Sequence, residues 1–171
     1  VKSQTGLSGS RYTRGNGDTV HTDVQEAFFC DRAPYAGPNC WRDWFSTQPL
    51  AWDFYRNVAT QPDPLRQRVA FALQQIVVVN SLEVSGTYGF RNYHNMLLDN
   101  AFGNYRQVLK MVTLSPVMGD FRNNANNDKA APNENFAREL LQLFAIGTCE
   151  LNADGTLKGG NCTPTYDNAM V

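Results

Sequence analysis

Two histidines and no surplus of charge of either sign limit what this 171-residue chain can do with its side chains. Fifteen Lys and Arg against sixteen Asp and Glu leave a formal charge of -1, which gives no sequence-independent grip on nucleic acid or on an anionic membrane surface. The longest apolar run, around Ile76–Val79, is far shorter than the roughly 18 to 20 residues that cross a bilayer, so no membrane span is expected. Gly-x-Ser-x-Gly, the phosphate-cradling Gly-x-x-x-x-Gly-Lys, the dinucleotide fingerprint and His-Glu-x-x-His are all missing, and the enzyme classes they mark lose support. Charged residues make up only 18%, and Asn, Gln, Ser and Thr fill the gap. What is present is a globular supply of core material, 42% hydrophobic and 12% aromatic, enough for one domain.

Four cysteines stand without any Cys-x-x-Cys spacing, and His21 and His94 are far from them in sequence, which disfavours zinc. Cys30 and Cys40 bracket a loop holding Pro34, Gly37 and Pro38. Cys149 and Cys162 bracket another, holding Asp154, Gly155, Gly159 and Gly160. A short loop built of turns lets its own ends reach disulfide distance, so Cys30–Cys40 and Cys149–Cys162 are favoured over the other connectivities. Such crosslinks persist in oxidising surroundings, and a periplasmic or extracellular location is expected; four free thiols would be the cytosolic alternative.

The periodicity predicts an all-α fold, an irregular multi-helix bundle with a short disulfide-closed hairpin near the C-terminus. Residues 1–22, rich in Gly, Ser, Thr and Arg, read as an extended arm, and residues 23–171 as a single helical domain, a fragment of a longer chain. A short helix is expected over Asp23–Phe29. Trp41, Trp44 and Phe45, then Trp52, Phe54, Tyr55 and Val58, suggest two short aromatic helices packing inward. Asp63-Pro64 opens the clearest helix, Asp as cap and Pro at the first position, with Leu65, Val69, Ala72, Leu73 and Ile76 as its apolar stripe and Phe71 and Val78 on a second side. This helix should be central.

Phe90, Tyr93, Leu97 and Ala101 mark the next helix, closed by Gly103. Asn104 caps another, with Tyr105, Val108, Leu109 and Val112 inward. Ser115-Pro116 starts a short turn carrying Val117 and Met118. The Asn-rich stretch from Arg122 to Asn133 should be a surface loop. Asn133 caps the last helix, whose inward residues are Phe136, Leu140, Leu143 and Phe144, and Gly147 stops it. Asn152-Ala153-Asp154-Gly155-Thr156 suits the turn of a hairpin.

Candidate chemistry concentrates on few positions. His94 borders the apolar side of its helix and fits a satisfied boundary residue better than a base. Arg66 projects between Leu73 and Val77, which draws its guanidinium toward the protein interior, and Glu139 edges the apolar face of the last helix; a half-buried guanidinium needs a carboxylate, which predicts an Arg66–Glu139 ion pair. Glu134 and Arg138 should form an ordinary exposed pair at i and i+4. Glu134 and Glu139 point about 140° apart on one helix and cannot both address one glycosidic bond. Asn152, Asp154 and Thr156 resemble the start of a calcium loop, but Asn161 stands where its bidentate Glu belongs, so calcium is a weak candidate beside a plain turn. No cofactor is expected.

Three stretches, Asp63-Pro64-Leu65-Arg66-Gln67-Arg68-Val69-Ala70-Phe71-Ala72-Leu73, Asn100-Ala101-Phe102-Gly103-Asn104-Tyr105-Arg106 and Glu134-Asn135-Phe136-Ala137-Arg138-Glu139-Leu140-Leu141-Gln142-Leu143-Phe144, resemble the bacterial family of unknown function DUF1800. The resemblance covers roughly Trp41 to Tyr166. It implies a large exported protein of which this chain is an internal part, and it transfers no catalytic residue. Two classes of function follow. One is a binding or scaffold domain for an extracellular polymer, a partner protein or missing segments of the same protein. The other is part of an extracytoplasmic hydrolase using His94, Glu134, Arg138 or Glu139.

Overall fold

The computed structural model describes residues 37–40, 46–84 and 87–167. The expected arm over 1–22, the helix over Asp23–Phe29, the segment of Trp41, Trp44 and Phe45, and Cys30 lie outside them. Among the described residues there are six α-helices: α1 Gln48–Thr60, α2 Pro64–Ile76, α3 Thr87–Asp99, α4 Tyr105–Thr113, α5 Pro116–Phe121 and α6 Asn135–Gln142. A 3-10 turn at Lys158–Gly160 follows, and the only extended pairing among the described residues is a pair of isolated antiparallel bridges. The chain divides into two compact units, the first ending at Val108 and the second beginning at Leu109.

In the first unit α2 touches both α1 and α3, the central place expected of it. Pro64 opens the helix because a first-turn residue needs no N–H donor of its own. Asp63 occupies the cap position without capping: its carboxylate accepts a hydrogen bond from the Gln67 amide at 3.0 Å rather than from the first helical N–H groups. The expected apolar stripe is also rotated. Asp63, Gln67, Ala70 and Val77 are the buried residues of this segment, while Phe71 and Ile76 are 46% and 51% exposed. Side chains four apart on one face can satisfy each other, so Asp63 and Gln67 enter the interior as a bonded pair, and the small Ala70 beside them lets neighbouring helices approach.

Buried polar residues at the same spacing recur on the flanking helices. Asp53 and Asn57 on α1, and Arg91 and Asn95 on α3, are buried at i and i+4. Arg56 reaches both members of the first pair, 2.9 Å from Asp53 and 3.2 Å from Asn57. Around this polar layer the apolar core comprises Leu50, Val79, Val84, Phe90, Tyr93, Leu97, Leu98, Ala101 and Val108, so the α3 stripe expected from Phe90 to Ala101 is buried. Trp52 and Tyr55 of α1 do not pack inward as expected; both are exposed. Cys40 is buried and disulfide-bonded, and its expected partner Cys30 lies outside the described residues.

Asn104 accepts from the Arg106 N–H at 2.9 Å and starts α4, which runs from the first unit into the second. Val108 and Val112 are buried, but Tyr105 is exposed. In the second unit α5 buries Val117 and Met118. The loop from Arg122 to Asn133 is held by its own polar side chains: Asn127 donates to the Asn133 carbonyl at 2.9 Å and accepts from the Asn133 N–H at 2.7 Å, and Asp128 accepts from Ala130 and Ala131. Asn133 then accepts from the Asn135 N–H at 3.0 Å, but the cap position of α6 falls on Glu134, one residue later than expected, and no side chain caps it.

Phe136 and Phe144 are buried, whereas Leu143, expected inward, sits at the C-cap past the end of the helix at Gln142 and is exposed. Gly147, expected to stop the helix, lies beyond its C-cap at Leu143 and takes its left-handed φ of +72° in the turn that follows. Beyond it Glu150 N–H donates to Thr163 at 2.8 Å and Asn152 N–H to Thr156 at 2.8 Å, forming a short hairpin. The Cys149–Cys162 disulfide closes it, with its Cα atoms 5.0 Å apart.

Candidate functional site: an aromatic cleft over His94

A cleft of about 330 Å³ opens in the first unit between α1, α2 and α3. Leu50, Phe54 and Tyr55 line it from α1, Phe71 and Gln74 from α2, Phe90 and His94 from α3, and Val79 and Ser81 from the link between α2 and α3; Thr47 and Ala51 complete it. Three rings form a continuous wall. Phe54 meets Tyr55 edge-on, 5.6 Å between centroids at 70°, and meets Phe71 tilted, 5.1 Å at 35°. Such offset and edge-to-face geometries suit the quadrupoles of aromatic rings. Tyr55 is 71% exposed and stands as a rim.

His94, only 4% exposed, is placed by its helix beside the cleft, with Nδ1 2.5 Å from the amide oxygen of Gln74. That oxygen can only accept, so the proton sits on Nδ1 and Gln74 fixes the tautomer. Burial lowers the imidazole pKa to about 4, and the ring is therefore neutral at physiological pH. Its neighbour Tyr93 turns the other way and donates to the Val77 carbonyl at 2.6 Å. Burial raises the Tyr93 hydroxyl well above its ordinary value, and Tyr105 adds to the shift.

The remaining sequence candidates lie elsewhere. Arg66, in the first unit, donates to the Leu98 carbonyl at 2.8 Å and places its guanidinium 4.8 Å from the centre of the Phe102 ring. Glu134, Arg138 and Glu139 belong to the second unit. Glu134 and Arg138 form the expected ion pair, and its hydrogen bond raises the Arg138 pKa. Glu139, on another side of α6, lies 3.9 Å from Arg122. Glu139 Oε2 and Arg122 Nε are buried with no hydrogen-bond partner among the described residues.

In the hairpin, Asp154 accepts from the Thr156 N–H and hydroxyl at 3.0 and 2.6 Å, and Asn152 donates to the same hydroxyl at 3.0 Å. These bonds hold the Asp154 carboxyl below its usual pKa. They close a turn, and no group of three His, Cys, Asp or Glu suited to a metal ion occurs among the described residues.

The family model described as protein of unknown function, DUF1800, matches residues 26–169. The chain belongs to this family. Neither a curated protein nor a solved structure matches it. Within this DUF1800 chain, sequence reasoning singled out His94 but missed Gln74, Ser81 and the open aromatic wall. One signal was available: Phe71 and Gln74, and Asp63 and Gln67, recur at helical spacing on α2. Whether a ring seals a core or lines a cleft depends on what lies opposite.

Proposed function

We propose that this DUF1800 domain is a binding module working outside the cytoplasm, in the periplasm or beyond the cell, and that the cleft over His94 holds a segment of an extracellular polymer. The observation that carries this reading is the cleft itself, at the small end of the volumes typical of ligand sites, apolar-walled with a few polar groups among the lining. The Cys149–Cys162 disulfide supports the location, since such a bond persists where thiols are not kept reduced. A partner protein is the competing occupant. The hydrolase alternative has less support, because no Asp or Glu lines the cleft beside His94.

Co-sedimentation with insoluble polymers, and titration with soluble ones and with peptides, tests the proposal. The wild-type domain should bind a polymer, and a correctly folded Phe71→Ala variant should lose that binding. Retention of full binding by the variant would remove the cleft as the site.

A further inference from the structure

We infer that the ligand of this cleft is a neutral sugar ring of a glycan, stacked on the wall of Phe54, Tyr55 and Phe71 and hydrogen-bonded at its edge to Gln74, Ser81 and Thr47. The inference rests on the reading of the cleft as a ligand site and adds the chemical class.

Charge decides first. No Asp, Glu, Lys or Arg lines the cleft, so an anionic polymer would lose hydration on entry and find no guanidinium or ammonium in return. A cationic chain would find aromatic faces but no carboxylate. His94, kept uncharged by burial, supplies no counter-ion either. The occupant that fits is itself uncharged.

Polarity decides next. A wholly apolar ligand would cover the hydroxyls of Ser81 and Thr47 and the amide of Gln74 without replacing their bonds to water, and a buried polar group left unmade is costly. A sugar ring has both parts needed, an apolar C–H face for a flat ring and hydroxyls around its edge. Phe54 and Phe71, 5.1 Å apart and tilted by 35°, with Tyr55 upright at the rim, present rings that lose little side-chain entropy on binding. A peptide added as a strand would find no sheet edge, since helices wall the cleft, and a helical or polyproline peptide is the competing outcome of the test below.

Isothermal titration of the intact chain tests the class with four probes: neutral gluco- and manno-oligosaccharides, N-acetylglucosamine oligomers, oligouronates, and an uncharged peptide of similar length. Binding of a neutral sugar, weakened at least tenfold by Tyr55→Ala and several-fold by Ser81→Ala, is expected. Both positions are exposed, so both variants should keep the wild-type melting profile. Binding of oligouronate or peptide alone, abolished by Tyr55→Ala, would overturn the sugar assignment and leave the cleft as a ligand site. Neutral-sugar binding indifferent to both substitutions would overturn the inference and the cleft together. No heat with any probe would overturn the sugar assignment.

Discussion

The imidazole Nδ1 of His94 on α3 and the amide oxygen of Gln74 on α2 lie 2.5 Å apart, so two helices share one hydrogen bond at the edge of an aromatic cleft. Burial, and not a neighbouring charge, sets the protonation state of that histidine.

The first prediction follows from linkage. The folded pKa of about 4 lies below the ordinary 6.5, so between those values the unfolded chain takes up a proton that the folded chain refuses. Stability contributed by His94 is complete above pH 6.5 and is lost progressively as the pH falls toward 4, by about 3 kcal/mol in all. Chemical denaturation of wild type and His94→Gln at pH 7.5, 6, 5 and 4 checks this. The difference between the two proteins should change by that amount across the range; parallel pH profiles would show that His94 is not held neutral.

Tyr93 ties α3 to the end of α2 through the Val77 carbonyl. Tyr93→Phe keeps the ring but leaves that carbonyl without its donor in a buried place, which should cost about 1 to 3 kcal/mol. Thermal unfolding should report it as a lowered midpoint. An unchanged midpoint would mean that water replaces the hydroxyl at no cost.

The Cys149–Cys162 bond closes a loop of sequence separation 13. By the loop-entropy argument, removing it in Cys149→Ser with Cys162→Ser should destabilise the second unit by about 3 kcal/mol. Hydrogen exchange should then quicken at Glu150 and Asn152, whose N–H groups bond across the hairpin. Exchange that stays slow would show that the turn bonds of Asp154 and Thr156 hold the hairpin alone.

Glu139 and Arg122 are both mostly shielded from water yet only loosely joined at 3.9 Å. A double-mutant cycle with Glu139→Gln and Arg122→Gln should give a coupling of about 0.5 to 1 kcal/mol. The Arg66–Glu139 pair expected from the sequence stays a proposal, and the same cycle with Arg66→Gln tests it: coupling of about 1 kcal/mol would support the pair, and coupling below about 0.3 kcal/mol would sink it.

Much of the second unit was legible because its signals are local. The Asn-rich loop held by Asn127 and Asp128, and two cysteines around a turn-rich stretch, each act on residues a few positions away. The cleft was not legible for the opposite reason. Phe54, Tyr55 and Phe71 have the composition of core residues, and helical spacing alone cannot say whether a partner element covers them.

By itself the sequence determined the helical class, the position of α2, the cap at Asn104 and the closed hairpin, since each depends on hydrogen bonds and torsions within a few residues. Only the tertiary structure decided how each helix is turned about its own axis. It set Asp63 and Gln67 inside as a bonded pair and left Phe71 and Ile76 outside. Rotation of a helix is a compromise among all the faces that meet it, and two polar side chains bonded to each other can be buried where an apolar stripe was expected.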